Sequence, residues 1–137
     1  MRYKRSELRE KIMVILYQIY LYKKQKIDFE IENVIKENIS IENSFIKDIV
    51  YGVLEKEKEI NDIINSHLNN WTIDRLGLTD QAILRIGTYE LLYYETPNIV
   101  SINEAVELAK KYSDEKVIKM INATLDKILI NEEENEW

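Results

Sequence analysis

The chain has 137 residues with three glycines, one proline, no cysteine and one histidine, and a formal net charge of −6. That length fits one domain, or two small subdomains sharing a core, and so little turn punctuation argues against a many-stranded fold. The absence of thiols excludes disulfides and thiolate metal sites, and no run of 18 apolar residues offers a membrane span. The charge is uneven. Residues 1–26 carry eight Lys/Arg against two Glu, while residues 27–137 carry eleven Lys/Arg against twenty-three Asp/Glu. A basic end on an acidic body points to an anionic partner at the N-terminus.

The first helix is expected over residues 6–23, with Ser6 as N-cap and Leu8, Ile12, Ile15, Leu16, Ile19 and Tyr20 on one arc. Arg2, Arg5 and Arg9 continue the edge of that arc toward the N-terminus. Arginines are not buried unpaired, so the helix start is expected to overhang the core and present its guanidinium groups. The apolar run MVILYQIYLY is interrupted by Gln18, carries tyrosines and lacks a small-residue cleavage site. It does not read as a signal peptide, and a soluble cytoplasmic protein is expected.

A short helix follows over residues 29–38, then a long one over residues 42–68 with Phe45, Ile46, Ile49, Val50, Val53, Ile60 and Ile64 inward. Gly52 lies inside it, where glycine costs about 1 kcal/mol against alanine, so a close helix approach is expected there. His67 reads as a helix-end residue. A short turn over residues 73–76, stopped by Gly77, leads to a helix over residues 80–94 capped by Thr79. That helix is apolar on most sides apart from Arg85 and Glu90, so other helices must cover it. After Pro97, Ser101 and Glu104 have the spacing of a capping box for a helix over residues 102–112. A last helix is expected over residues 115–130, and residues 132–137 read as an acidic disordered tail. The fold class is all-α, a compact bundle of about seven helices.

No nucleophile is paired with a base, and no phosphate-cradling glycine loop is present. A non-enzymic binding protein without cofactor or metal is therefore expected. Arginine forks match phosphates, and Tyr3 adds a stacking surface, as in single-strand binders. A second basic group, Lys116 and Lys119, sits at the start of the last helix, with Lys110 and Lys111 nearby at the end of the helix before it.

Longer motifs are more specific. The chain has Leu84, Arg85 and Ile86, then Tyr89, Glu90 and Leu91, then Pro97, Val100 and INEAVELAK over residues 102–110. Ile121 and Asn122 follow, then Leu125, Asp126 and Lys127, while Arg5, Arg9, Leu16 and Tyr17 keep step near the N-terminus. Over residues 2–130 this pattern resembles the NusB family of transcription antitermination factors. The resemblance implies two small helical subdomains within residues 1–131, no enzymatic activity, and binding to boxA RNA of ribosomal RNA transcripts. It implies the ribosomal protein NusE and the RNA polymerase antitermination complex as partners, with the protein a monomer or homodimer. By position it assigns RNA contacts to Arg2, Lys4, Arg5, Arg9, Lys116, Lys119, Met120 and Asn122, and NusE contacts to Tyr17 and Asp80. Met120 replaces the family's aromatic and Ala123 its glycine, while Leu8 stands where the pattern has a small residue. The alternative is a purely protein-binding helical module, its acidic body suited to a basic partner.

Overall fold

A computed structural model describes residues 2–134. Seven helices and one 3₁₀ turn make up its regular structure: α1 Arg5–Gln25, α2 Ile31–Asn38, α3 Ser44–Glu55, α4 Glu57–His67, the turn Ile73–Arg75, α5 Leu78–Tyr93, α6 Asn98–Tyr112 and α7 Glu115–Glu134. The all-α class expected from the apolar spacing is therefore what forms.

Helix α5 is the centre. Every residue from Gln81 to Thr88 is buried, because α1, α3 and α4 before it in the chain and α6 and α7 after it all pack against it. One continuous hydrophobic cluster joins both halves of the chain. The two polar interruptions legible in the sequence are both buried and both satisfied. Arg85 Nε donates to Asn61 Oδ1 at 2.8 Å and its Nη1 to Gln81 Oε1 at 3.1 Å. Glu90 receives Arg9, described below.

Gly52 supplies the close approach expected of it. A Cβ at this position would lie 2.2 Å from Cζ of Tyr89 on α5. Gly52→Ala is expected to lower stability by about 1–3 kcal/mol through overpacking, against a gain in helix propensity of about 1 kcal/mol. Urea unfolding checks this. Stability equal to the parent's, or a defect that persists unrelieved beside Tyr89→Leu, rejects the tight contact as the cause.

Several local expectations are corrected by tertiary demands. The long helix over residues 42–68 is two helices, broken at Lys56 (φ −97°, ψ 12°). Helix α3 must follow α1 and α5, whereas α4 must follow α5 and α7, and one straight rod does not meet both. Ser6 does not cap α1. The helix starts one residue earlier, and the Glu7 carboxylate accepts the Lys4 backbone N–H at 3.1 Å. Gly77, not Thr79, occupies the N-cap of α5. Ser101 and Glu104 form no capping box, because α6 begins at Asn98 with Pro97 as its N-cap. The Pro97 carbonyl accepts from both Val100 and Ser101 at 3.0 Å, which leaves Glu104 free to pair elsewhere. Helix α7 extends through Glu134, so the expected tail is helical as far as that residue; residues 135–137 lie outside the described part.

Candidate nucleic-acid interface

The N-terminal basic residues separate into two roles. Arg2, Lys4 and Arg5 are exposed. The Arg5 guanidinium sits 4.1 Å from the centroid of the Phe45 ring, which steadies it by cation–π attraction. Tyr3 is half-buried against the core, with the Lys11 ammonium 5.5 Å from its ring.

Arg9, also expected at the RNA surface, is placed differently from its neighbours. It is 5% exposed. Its Nε and Nη2 donate to the two carboxylate oxygens of Glu90, each at 2.7 Å, and its Nη1 donates to Glu104 at 3.1 Å. The Thr96 hydroxyl donates to Glu90 at 2.7 Å. Burial opposes the charge of Arg9, but Glu90 and then Glu104 outweigh it and hold its pKa above the ordinary arginine value. A guanidinium with both edges occupied has no fork left for a phosphate. Arg9 instead ties α1 to the end of α5 and to α6.

A second tie lies one step along α1. Glu10 accepts from Lys111 at 2.9 Å and from the Tyr112 hydroxyl. The Tyr112 hydrogen bond, then that of Lys111, holds the Glu10 carboxyl below the usual range. The basic N-terminal end is thus fixed beside the C-terminal part of α6.

Two shallow grooves run from there. One, about 200 Å³, lies between α1 and α6 and includes Ser6, Glu107, Lys110 and Lys111. The other, about 310 Å³, lies between α6 and α7 and includes Asn103, Glu107, Lys110, Lys119 and Asn122. They share Glu107 and Lys110, so the surface is continuous from the start of α1 to Asn122. Lys110 meets Glu107 at 3.4 Å with both side chains more than half exposed, a pairing worth little. Its ammonium remains available.

The residues expected on α7 divide. Lys119 and Asn122 border the groove shared with α6. Lys116 and Met120 face the other flank, where a cleft of about 420 Å³ opens toward the end of α4 and the segment after it. Trp71, 44% exposed, lines that cleft with Lys127. Sequence reasoning missed both. The signal for Trp71 was a tryptophan set in a polar linker outside every apolar arc.

Of the residues assigned to the protein partner, Tyr17 is exposed on α1, and Asp80 is half-exposed in the first turn of α5. Asp80 accepts from the Ser113 hydroxyl, which joins the start of α5 to the α6–α7 turn. Met13 and Tyr20, neighbours of Tyr17 on α1, are buried. Among the described residues no group of three His, Cys, Asp or Glu side chains is placed to hold a metal ion, and no helix is long and apolar enough to cross a membrane.

Comparison with known proteins places this geometry in context. Residues 6–129 match the NusB family. The transcription antitermination protein NusB of Listeria innocua is 41% identical over 126 residues, covering 91% of this chain and 95% of that protein. The NusB of Macrococcus caseolyticus is 38% identical over 129 residues, covering 93% of this chain and 97% of its own length. Among solved structures, T. maritima NusB superposes with a TM-score of 0.80 at 30% identity, covering 95% of this chain and 93% of that one. A crystal structure of the antitermination factors NusB and NusE in complex with double-stranded RNA superposes with a TM-score of 0.79 at 28% identity, covering 93% of this chain and 96% of that one.

Proposed function

The chain belongs to the NusB family of transcription antitermination proteins, and from that premise we propose that it grips boxA RNA together with NusE. In this reading it is an adaptor with no catalytic residues, working in the cytoplasm as part of an RNA polymerase antitermination complex. The observation that carries the RNA reading is the pair of adjoining grooves that runs from Ser6 past Lys110 and Lys111 to Lys119 and Asn122, with the exposed Arg2, Lys4 and Arg5 just ahead of Ser6 in the chain. Exposed ammonium and guanidinium groups suit the spaced phosphates of a single strand, and binding through them falls as salt rises. Bases splayed from a single strand supply sequence preference through their edges.

Tyr17 and Asp80 are the proposed NusE contacts, on α1 and α5, helices that pack directly on one another. A protein partner seated there adds its own RNA contacts. Two linked surfaces then bind more tightly than either alone. The acidic body of the chain attracts a basic ribosomal protein and speeds the encounter.

Fluorescence anisotropy of labelled boxA RNA, at two salt concentrations and with a scrambled RNA as control, tests the reading. The expected result is tighter binding of boxA than of the scrambled strand, weakened by salt and improved by NusE. Equal, weak binding of both RNAs that NusE leaves unchanged rejects RNA recognition. If NusE still binds in that case, the protein is a protein-binding module.

A further inference from the structure

The cleft on the far flank of α7 has a composition that the two basic grooves do not share. Its walls come from the end of α4 and the segment that follows it, and from the first four turns of α7. Leu68, Leu76, Val117 and Met120 make it apolar, while Lys116 and Lys127 stand on its α7 side. Trp71 lines it yet belongs to no part of the hydrophobic core, and it is 44% exposed. Nothing in the packing of the fold requires a tryptophan there. The volume of about 420 Å³ exceeds that of one nucleobase and is within the range of small-ligand pockets.

Resting on the RNA-binding reading above, we propose that this cleft receives one unstacked nucleobase of single-stranded RNA, stacked on the indole of Trp71. An indole face stacks on any base. The lysines at the α7 wall meet the phosphates on either side of the base, and Lys116 stands on the cleft flank of the same helix that carries Lys119 and Asn122 on the groove shared with α6. Asn69 offers both a donor and an acceptor to the edge of the base. The charged groups facing the cleft are compatible with a polyanion. Asp114 is the one carboxylate lining it, and its Oδ1 accepts the Val117 backbone N–H at 2.9 Å as the cap of α7, so its charge is partly taken up by the helix N-terminus. The His67 ring lies against the Ile63 carbonyl through Nδ1 and against the Asn131 amide through Nε2, and is held to the wall.

The test uses the only two tryptophans, Trp71 and Trp137. With Trp137→Phe, indole emission reports on Trp71 alone. A short single-stranded boxA RNA is titrated, and its anisotropy is read alongside the emission. Quenching that saturates with RNA binding is expected, and a duplex of the same sequence, its bases already stacked, should leave the emission unchanged. Trp71→Leu should weaken single-strand binding about tenfold, and Trp71→Phe should restore most of it, both with unchanged helicity. If RNA binds the parent normally while Trp71 stays unquenched and Trp71→Leu keeps full affinity, the cleft proposal fails and the adaptor reading stands. If the parent binds no RNA, both fail. If Trp71→Leu lowers affinity for NusE and not for RNA, the cleft holds a protein side chain and the proposal is overturned.

Discussion

Arg9→Ala is expected to destabilise the protein by about 3–5 kcal/mol, the usual loss when one partner of a buried ion pair is removed. The cost falls on what remains. Glu90 is 1% exposed, and without Arg9 its carboxylate keeps only the Thr96 hydroxyl at 2.7 Å. Glu104 is less affected, because its side chain is 27% exposed and can be hydrated. Arg9→Met with Glu90→Leu should recover most of the loss, since apolar side chains of similar volume often replace a buried pair without penalty. Urea unfolding of the parent, the two single variants and the double variant measures this as a cycle. A loss below about 1 kcal/mol in Arg9→Ala would show that the pair is readily replaced by water. The same experiment separates Arg9 from Arg5, its neighbour on the sequence pattern. Arg5→Ala removes only a cation–π contact at the surface, worth about 0.5–1 kcal/mol.

The second large effect is on RNA. Arg5→Ala, Lys110→Ala and Lys119→Ala together remove three exposed cations from the proposed RNA surface. For single strands each phosphate contact contributes about 0.7 to the slope of log K against log salt, so the slope should shrink by about 2. Near 0.1 M salt the same three contacts correspond to about a 100-fold loss of affinity. Stability should change little, because the exposed Lys110–Glu107 pair contributes little to folding. An unchanged slope in a protein with parental unfolding behaviour would mean that RNA does not follow that surface. The result is also distinct from that expected of Trp71→Leu, which should weaken binding with little change in salt slope, because stacking releases no counterions.

These two predictions rest on residues that a linear reading groups together. Arg5 and Arg9 lie four apart on one helix, with the same side chain, at the edge of the same apolar arc. Arg5 stays at the surface over Phe45. Arg9 meets Glu90, 81 residues away, and Glu104, 95 residues away. An arginine is not buried unpaired, and Glu90 stands out in the sequence as a charge inside an apolar helix. Joining the two required the packing of α1 on α5. Glu104 followed a similar course. Its spacing from Ser101 suited a capping box, but Pro97 starts α6 earlier and Arg9 takes the carboxylate.

The sequence by itself determined the helices, their order and the faces they bury, because a period of three to four residues is a local property that any apolar arc displays. It also marked Gly52 as a close approach and, through INEAVELAK and its neighbours, identified the family. Only the tertiary structure decided where the helices break and start, which arginine is a buried tie and which is free, and that Lys110 joins the two grooves while Lys116 and Met120 turn toward Trp71. Those outcomes depend on which groups from distant segments meet once the core closes. Burial sets the cost of an unpaired charge, and no local spacing encodes the partner that removes it.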